Sequence, residues 1–384
     1  MIPLRNIKRF FYKANKQPGY AYSVFLKRTR AQLAYYFGNG ESIFPEAITL
    51  FLTHRCNLHC RMCGQWGEGG VTKKQSAEYV QSELSIQELK SLVDDVAVFR
   101  PNITLFGGEP LLYPDCSGLI RYIKRKKMHT LMITNGSLLE ARALELVESG
   151  LDELNVSLDG LSQLHDDIRG LPGLYNTITR GLKNIDYLKK QKKTKKPFVN
   201  LQCTINKDNC RYLEEMIRVA EEVDADSLTF HNLIFTDRQI LDRQKEYNRI
   251  LDCNSLNWEG FVFEPGIEPE ILNSMISRIL KGRYKFSVDF YPNFSGQAAI
   301  DYYRDPANIP KGYPFRCLSP WIVAYVFPDG EVRPCLNFSY SYGNIKKVKF
   351  TKLWNNEQAV KFRRILKENK VFAVCGRCTE LYRY

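Results

Sequence analysis

The sequence has no long apolar segment, no export signal and no internal repeat, and each absence excludes a class of protein. No run of eighteen apolar residues occurs among its 384 residues, so no transmembrane helix is predicted. Residues 1–20 are basic but lack an uninterrupted apolar stretch and a small-residue cleavage site, which argues against a secretory signal. Without such a signal, the eleven cysteines predict a cytoplasmic protein with metal or redox chemistry rather than a disulfide framework.

Acidic residues are outnumbered, with 42 Asp and Glu against 55 Lys and Arg and a net charge of +13. This balance favours anionic partners: phosphorylated or nucleotide-linked small molecules, acidic lipids or nucleic acid. No nucleic-acid-binding module is recognisable, so we expect no nucleic-acid partner. The lysine-rich run at 189–196 is expected to face solvent. The basic N-terminus is compatible with a peripheral membrane contact, although a helix packed across the base of the fold is the simpler interpretation.

Short β-branched segments alternate with helical patterns from residue 47 to about 235. This alternation predicts an α/β fold with a parallel sheet, either doubly wound or closed into part of a barrel. In both cases the chemistry lies at the carboxyl ends of the strands. The polar and glycine residues that follow the predicted strands are Cys56, Gly107–Glu109, Asn135, Ser157, Asp159 and Asn206.

Changes in composition divide the chain into four predicted regions. A basic helical extension covers 1–46, and the strand–helix alternation covers a core at 47–240. Residues 241–310 are a connector with one more strand-like run that ends the core. Cysteines return in 311–384, where Asp329–Gly330 between two alternating runs predicts a hairpin. This last region is predicted to be a small extension held together by metal.

Three cysteines, Cys56, Cys60 and Cys63, follow the first predicted strand with the spacing C-x3-C-x2-C. We call them the cysteine triplet. A Cys3His zinc site is one interpretation, because His54 and His59 are nearby in the sequence. An iron–sulfur cube suits the spacing better, since three thiolates can hold three irons and leave the fourth open for an external ligand.

The triplet at the end of a first βα strand resembles the signature of the radical S-adenosylmethionine (SAM) enzymes. The resemblance implies a partial (β/α)6 TIM-like barrel and a 4Fe-4S cluster whose open iron is chelated by SAM. It further implies reductive cleavage of SAM to a 5′-deoxyadenosyl radical that removes a hydrogen atom from a substrate. A flavodoxin- or ferredoxin-type reductant would supply the electron.

Further motifs extend the resemblance to SAM-binding positions. "FGGEP" resembles the motif that meets the methionyl ammonium, which implies roles for Gly107, Gly108 and Glu109. "TNG" implies that Asn135 contacts the ribose, and Met62 takes a position that is usually aromatic and packs near adenine. In "VSLDG…HDDIRG", Ser157 and Arg169 are implied to reach the SAM carboxylate, the arginine through a bidentate fork. For Asp159 and Ser157, capping of the following helix is the alternative.

Four cysteines near the C-terminus, Cys317, Cys335, Cys375 and Cys378, resemble the SPASM/Twitch extension of the same superfamily. We call them the C-terminal quartet. The resemblance implies one auxiliary 4Fe-4S cluster that transfers electrons, although four cysteines also suit zinc. Of the remaining cysteines, Cys253 is the candidate for a hydrogen donor, and it is not assigned as catalytic.

The resemblance fixes the chemistry better than the substrate. We expect a small molecule, anionic or carbohydrate-like, such as a sugar or aminocyclitol that is oxidised, epimerised or rearranged. Radical modification of a peptide or protein is the first alternative. The second is an iron–sulfur electron carrier without radical chemistry, although such a carrier would not need the SAM-binding motifs.

Overall fold

The fold is built on one ten-stranded sheet in this computed structural model, which describes residues 18–313 and 315–383. The strands are β1 (Ala47–Phe51), β2 (Asn102–Phe106), β3 (Thr130–Thr134), β4 (Glu153–Ser157), β5 (Phe198–Thr204), β6 (Ser227–His231), β7 (Ser287–Tyr291), β8 (Val323–Val326), β9 (Glu331–Arg333) and β10 (Gly343–Asn344). β1 to β7 are parallel neighbours in chain order. The prediction of an α/β fold with a parallel sheet is confirmed.

Helices connect the parallel strands and cover the sheet. They are α1 (Pro18–Phe37), α2 (Ala77–Gln81), α3 (Ile86–Val96), α4 (Cys116–Arg125), α5 (Leu139–Glu148), α6 (Ser162–Arg169), α7 (Leu174–Gln191), α8 (Glu215–Glu222), α9 (Arg238–Leu251), α10 (Pro269–Lys281), α11 (Gln297–Arg304), α12 (Ser319–Ile322), α13 (Phe350–Leu353) and α14 (Glu357–Asn369). α3 begins with a capping box formed by Ser85 and Glu88. Its apolar face, Leu89, Leu92, Val93 and Val96, is buried.

The C-terminal region joins the opposite side of the sheet from β7. β8 pairs in parallel with β1, and β9 and β10 continue antiparallel from β8. The predicted turn at Asp329–Gly330 connects β8 to β9, and Gly330 has a φ of +92°. Because β8 runs parallel to β1, its carboxyl end lies at the same sheet edge as the start of the cysteine triplet loop.

The base of the fold carries the N-terminal helix. In α1, Tyr35 is buried edge-on against Trp321, with ring centroids 5.0 Å apart, and Arg28 pairs with Glu46 just before β1. Leu33, Tyr36 and Phe37 remain exposed on the same helix. The prediction for residues 1–17 lies outside the described residues. Within the described part of the chain, no helix has the length and apolarity needed to cross a bilayer.

The lysine-rich run at 189–196 forms ion pairs with acidic side chains. Lys189 pairs with Asp226, Lys192 with Glu148, and Lys196 with Asp152. The lysines thus neutralise carboxylates near the amino ends of the central strands. This arrangement is consistent with the expectation that the run faces solvent.

Polar side chains occupy alternate positions of the last parallel strands. The register aligns Ser157 with Gln202, Gln202 with Thr229 and Thr229 with Asp289. Aligned residues of neighbouring strands face the same side of a sheet, so these four form one polar row. A second row, nearer the carboxyl ends, aligns Thr204, His231 and Tyr291. The intervening residues of β5, Val199, Leu201 and Cys203, are buried in the apolar core.

Candidate active site

The loop after β1 holds the cysteine triplet against the end of β2. The backbone N–H of Gly108 donates to Thr53 O, and that of Glu109 donates to Arg55 O, both at 2.8 Å. A Cβ on Gly108 would stand 2.1 Å from Arg55 O, and Gly107 has a φ of +147°. Glycine is therefore required here because two backbone segments touch. The two glycines therefore let the end of β2 approach the triplet loop.

Glu109 is fully buried and is held by protein donors. Its Oε1 accepts from the Thr134 hydroxyl (2.7 Å) and the Leu111 N–H (3.0 Å), and its Oε2 accepts from the Asn135 N–H (2.7 Å). Burial raises the pKa of Glu109, although these three hydrogen bonds oppose the shift. The carboxylate thus joins the end of β2 to the end of β3. Its expected contact with the SAM ammonium stays a prediction.

Each sulfur of the triplet has an N–H group directed at it. Asn135 Nδ2 lies 3.8 Å from Cys56 Sγ, Arg169 Nη1 lies 3.7 Å from Cys60 Sγ, and the Trp66 N–H lies 3.4 Å from Cys63 Sγ. Such donors stabilise negative charge on sulfur, which is the state that an iron cluster requires of its ligands. The donor set therefore fits three cluster thiolates.

Burial makes two thiols of the triplet weaker acids. It raises the pKa of Cys56 to about 12 and raises that of Cys60 as well, although Arg169 opposes the shift at Cys60. Cluster binding must therefore displace protons from these two thiols.

Arg169 and Asp159 form a buried ion pair beside the triplet. Arg169 Nε donates to Asp159 Oδ2 at 2.6 Å, and the two side chains are 9% and 0% exposed. Burial alone would lower the pKa of Arg169, but Asp159 and Cys60 raise it above its usual value. Asp159 also accepts from the Thr204 N–H through Oδ1 at 2.7 Å. Asp159 does not cap α6, because the N-cap position of that helix is Leu161, which makes no side-chain cap hydrogen bond.

The other predicted SAM contacts lie around the same strand ends. The amide of Asn135 donates to Asn57 Oδ1 (3.0 Å) and accepts from the Ser137 N–H (2.9 Å), so both of its ends have protein partners. Ser157 ends β4 half-buried, in the polar row. Met62 is half-buried between two cysteines of the triplet and packs against the apolar core. Their ribose, carboxylate and adenine contacts stay predictions.

The two histidines considered for a zinc site have other surroundings. His54 is buried in an aromatic layer, with its ring 4.2 Å from that of Tyr79 and 5.1 Å from that of Phe51. Burial lowers the pKa of His54 to about 4. His59 is exposed, with Nδ1 3.4 Å from Trp66 O. Among the described residues, no three Cys, His, Asp or Glu groups converge closely enough to hold a single metal ion.

The C-terminal quartet is brought together from three segments. Cys317 precedes α12, Cys335 follows β9, and Cys375 and Cys378 lie in the loop after α14. Burial raises the pKa of Cys317 well above its usual value, and the neighbouring Cys375 and Cys378 add to the shift. Cys335 is affected in the same way, with Cys317 among its neighbours. The four thiols therefore lie near one another, and their joint ligation of one cluster stays a prediction.

A buried arginine fixes the loop that carries the last two cysteines. Arg377 is fully buried between Cys375 and Cys378 and donates to Phe235 O and Tyr302 O, both at 3.0 Å. Its guanidinium also stacks over the Tyr302 ring at 3.6 Å. These contacts hold the C-terminal site against the chain that follows β6.

Sequence reasoning missed several residues of these sites. Asp159 is predicted to lie at the carboxyl end of a strand, but its pairing with Arg169 is not predicted, and no role is predicted for Thr134, Trp66 or Arg377. One signal for Asp159 was available, because it stands two residues after Ser157 at a strand end and ten before an arginine. The partners of Trp66 and Arg377 depend on tertiary packing and leave no local pattern.

Two family profiles match the chain. The Radical SAM superfamily profile matches residues 50–220, and the SPASM profile, described as an iron–sulfur cluster-binding domain, matches residues 317–379. The first range contains the triplet and all of the predicted SAM contacts. The second contains the whole C-terminal quartet.

Curated relatives include enzymes of cofactor synthesis. An AdoMet-dependent heme synthase of Methanosarcina barkeri is 29% identical over 87% of this chain and 88% of its own length. The Fe-coproporphyrin III synthase of the same organism is 35% identical, but the match covers 49% of this chain and 44% of that relative. The subtilosin biosynthesis protein AlbA of Bacillus subtilis is 23% identical over 83% of this chain and 61% of its length.

Solved structures of similar fold include complexes with a peptide and with SAM. Streptococcus suis SuiB superposes with a TM-score of 0.61 at 14% identity, covering 88% of this chain and 72% of SuiB. A second SuiB structure contains its precursor peptide SuiA. The enzyme anSMEcpe with bound AdoMet gives a TM-score of 0.56 at 17% identity, with 82% of each chain covered. At these identities the likeness supports the fold alone.

Proposed function

The chain belongs to the radical SAM superfamily and carries a SPASM-type C-terminal domain, and on this premise we propose that its substrate is a carboxylate-bearing cofactor precursor. The protein uses SAM and 4Fe-4S clusters. The triplet would hold the cluster that, with SAM bound, would supply a 5′-deoxyadenosyl radical for removal of a hydrogen atom from the substrate. The C-terminal quartet would hold the auxiliary cluster that we propose for electron transfer.

The observation that carries the substrate proposal is the match to an AdoMet-dependent heme synthase over 87% of this chain and 88% of that relative. The net charge of +13 also favours an anionic substrate. The relatives reported above give no support to the sugar or aminocyclitol expected from the sequence.

The chain's own residues would bind and orient this substrate at the carboxyl ends of β4 to β7. The polar row of Ser157, Gln202, Thr229 and Asp289 offers hydroxyl, amide and carboxylate groups on one face of the sheet. Tyr291, in the row above it, donates to Thr379 O at 3.1 Å. Thr379 directly follows Cys378. This hydrogen bond therefore connects the face of the sheet that we propose to bind substrate with the C-terminal quartet.

A peptide substrate is the second candidate, favoured by the similarity to AlbA over 83% of this chain.

The experiment is a substrate screen with the anaerobically reconstituted protein, dithionite and SAM. We expect Fe-coproporphyrin III, representing carboxylated tetrapyrroles, to raise the rate of 5′-deoxyadenosine formation at least about tenfold. This increase corresponds to a decrease of about 1.4 kcal/mol in the activation free energy. Deuterium from the labelled substrate should appear in 5′-deoxyadenosine. Stimulation by a short peptide or an amino sugar, but not by tetrapyrroles, would overturn the substrate proposal. A flavodoxin or ferredoxin in place of dithionite tests the proposed reductant.

A further inference from the structure

Arg169 contacts the triplet through Cys60 and is held there by Asp159. We infer that Arg169 raises the reduction potential of the triplet's cluster by donating to the Cys60 thiolate, with Asp159 as its positioning residue. This inference rests on the proposed function, because it needs a cluster at the triplet. It assigns Arg169 a role different from the SAM carboxylate contact that the sequence motif implies.

The position of Arg169 is fixed by backbone contacts at the end of α6. Arg169 is the last residue of this helix, and Gly170, with a φ of +73°, is its C-cap. The preceding Ile168 O accepts from the Arg61 N–H at 3.0 Å, so the end of α6 is bonded to the triplet loop itself. The separation of 3.7 Å between Arg169 Nη1 and Cys60 Sγ therefore depends on backbone contacts as well as on a flexible side chain.

Asp159 is equally constrained. Its Oδ1 accepts from the Thr204 N–H, its backbone N–H donates to His165 Nδ1 at 3.0 Å, and its backbone oxygen accepts from Asn209 Nδ2 at 2.8 Å. The carboxylate therefore has one oxygen committed to β5 and the other committed to Arg169. An aspartate held in this way orients the guanidinium toward Cys60.

The hydrogen bonds of Arg169 connect two partners. Asp159 accepts from Nε, and Cys60 accepts from one N–H of Nη1. Because a guanidinium has five N–H groups, these two contacts do not use all of its donors. The guanidinium therefore bridges Asp159 and the triplet.

Arg169 differs in charge from the other two donors to the triplet. Asn135 Nδ2 and the Trp66 N–H are neutral, whereas the guanidinium carries a full positive charge with 9% of its side chain exposed. Hydrogen bonds to the sulfurs and nearby charge set cluster potentials. A buried cation next to a thiolate stabilises the state with one more electron, which is the state that cleaves SAM.

The test is the midpoint potential of the triplet's cluster, measured by EPR at controlled potentials without SAM. The cluster is identified as the one whose signal changes when SAM is added afterwards. Arg169→Gln removes the charge, and Arg169→Lys keeps the charge but loses the bridge to Asp159. Arg61→Gln is the matched control, because Arg61 directly follows Cys60 but is 61% exposed and pairs with Asp208.

We expect Arg169→Gln to shift the midpoint potential to a more negative value and Arg169→Lys to shift it less. Arg61→Gln should leave it close to wild type, because solvent screens an exposed charge. An unchanged potential in Arg169→Gln, with full iron and weaker SAM binding, would assign Arg169 to SAM and overturn the inference. Loss of the triplet's iron in both Arg169 variants would also overturn it. Formation of 5′-deoxyadenosine by the wild type tests the proposed function separately.

Discussion

Gly108 offers a sharp test of the contact between the end of β2 and the triplet loop. A methyl group in Gly108→Ala would stand 2.1 Å from Arg55 O, 2.5 Å from Arg55 C and 2.7 Å from His54 O. All three atoms belong to the backbone, so no side chain can move aside. Restoring a contact of 3.0 Å or more requires the loop to shift by about 1 Å. Functional constellations must be held within about 0.5 Å, so this shift should disrupt the triplet.

We expect Gly108→Ala to lose the iron of the triplet and keep that of the C-terminal quartet, leaving about four irons per chain instead of about eight. Formation of 5′-deoxyadenosine should fall to background. Overpacking of this kind costs about 1–3 kcal/mol, which is small enough for the fold to survive. Iron and sulfide analysis, with thermal unfolding of the same samples, measures both effects.

Gly69→Ala is the matched control, because Gly69 lies in the same loop with nothing within 4 Å of the added methyl group. It should retain its iron and its SAM cleavage. If Gly108→Ala also retained about eight irons and cleaved SAM, the loop would not depend on this backbone contact, and the reasoning would be refuted.

Three further predictions concern the two cysteine sites and one buried carboxylate. Replacing the whole triplet with Ala should abolish SAM cleavage and leave about four irons per chain; iron falling to zero would contradict separate sites. Replacing Cys375 and Cys378 with Ala should lose iron yet retain some uncoupled SAM cleavage, and unchanged iron content would count against the auxiliary cluster. Asp152→Asn should cost about 1–3 kcal/mol in urea unfolding at pH 7. Burial alone would raise the pKa of Asp152, but Lys124 and Lys196 lower it, so its contribution is lost as the pH falls below about 4. A difference from wild type that does not shrink as the pH falls below about 4 would contradict that assignment.

The parts of the fold that depend on local patterns were predictable from the sequence. Alternation of apolar residues gave the parallel strands, and the spacing of the triplet gave three ligands at the end of β1. The pairing of β8 with β1 was not predictable, because periodicity marks a strand without saying which edge it joins. That pairing depends on the packing of Phe327 against Phe51, with ring centroids 5.4 Å apart, between distant parts of the chain.

The sequence predicted which residues belong to the candidate site better than it predicted their hydrogen-bond partners. The motifs placed Glu109, Asn135 and Arg169 near the triplet, where the structure also has them. Their hydrogen-bond partners depend on how β2, β3 and β5 meet, which no single motif encodes. Asp159 shows this most clearly, because its two oxygens are taken by Thr204 and Arg169, 45 and 10 residues away in the chain.

The position of β8 beside β1 has a consequence for how the chain is made. During synthesis, β1 emerges from the ribosome long before Val323–Val326, so one edge of the growing sheet keeps its backbone groups unpaired until β8 has been made. Exposed edges of this kind recruit other strands and promote aggregation. Expression with added chaperones should therefore raise the yield of well-folded protein, and a chain cut before β8 should precipitate.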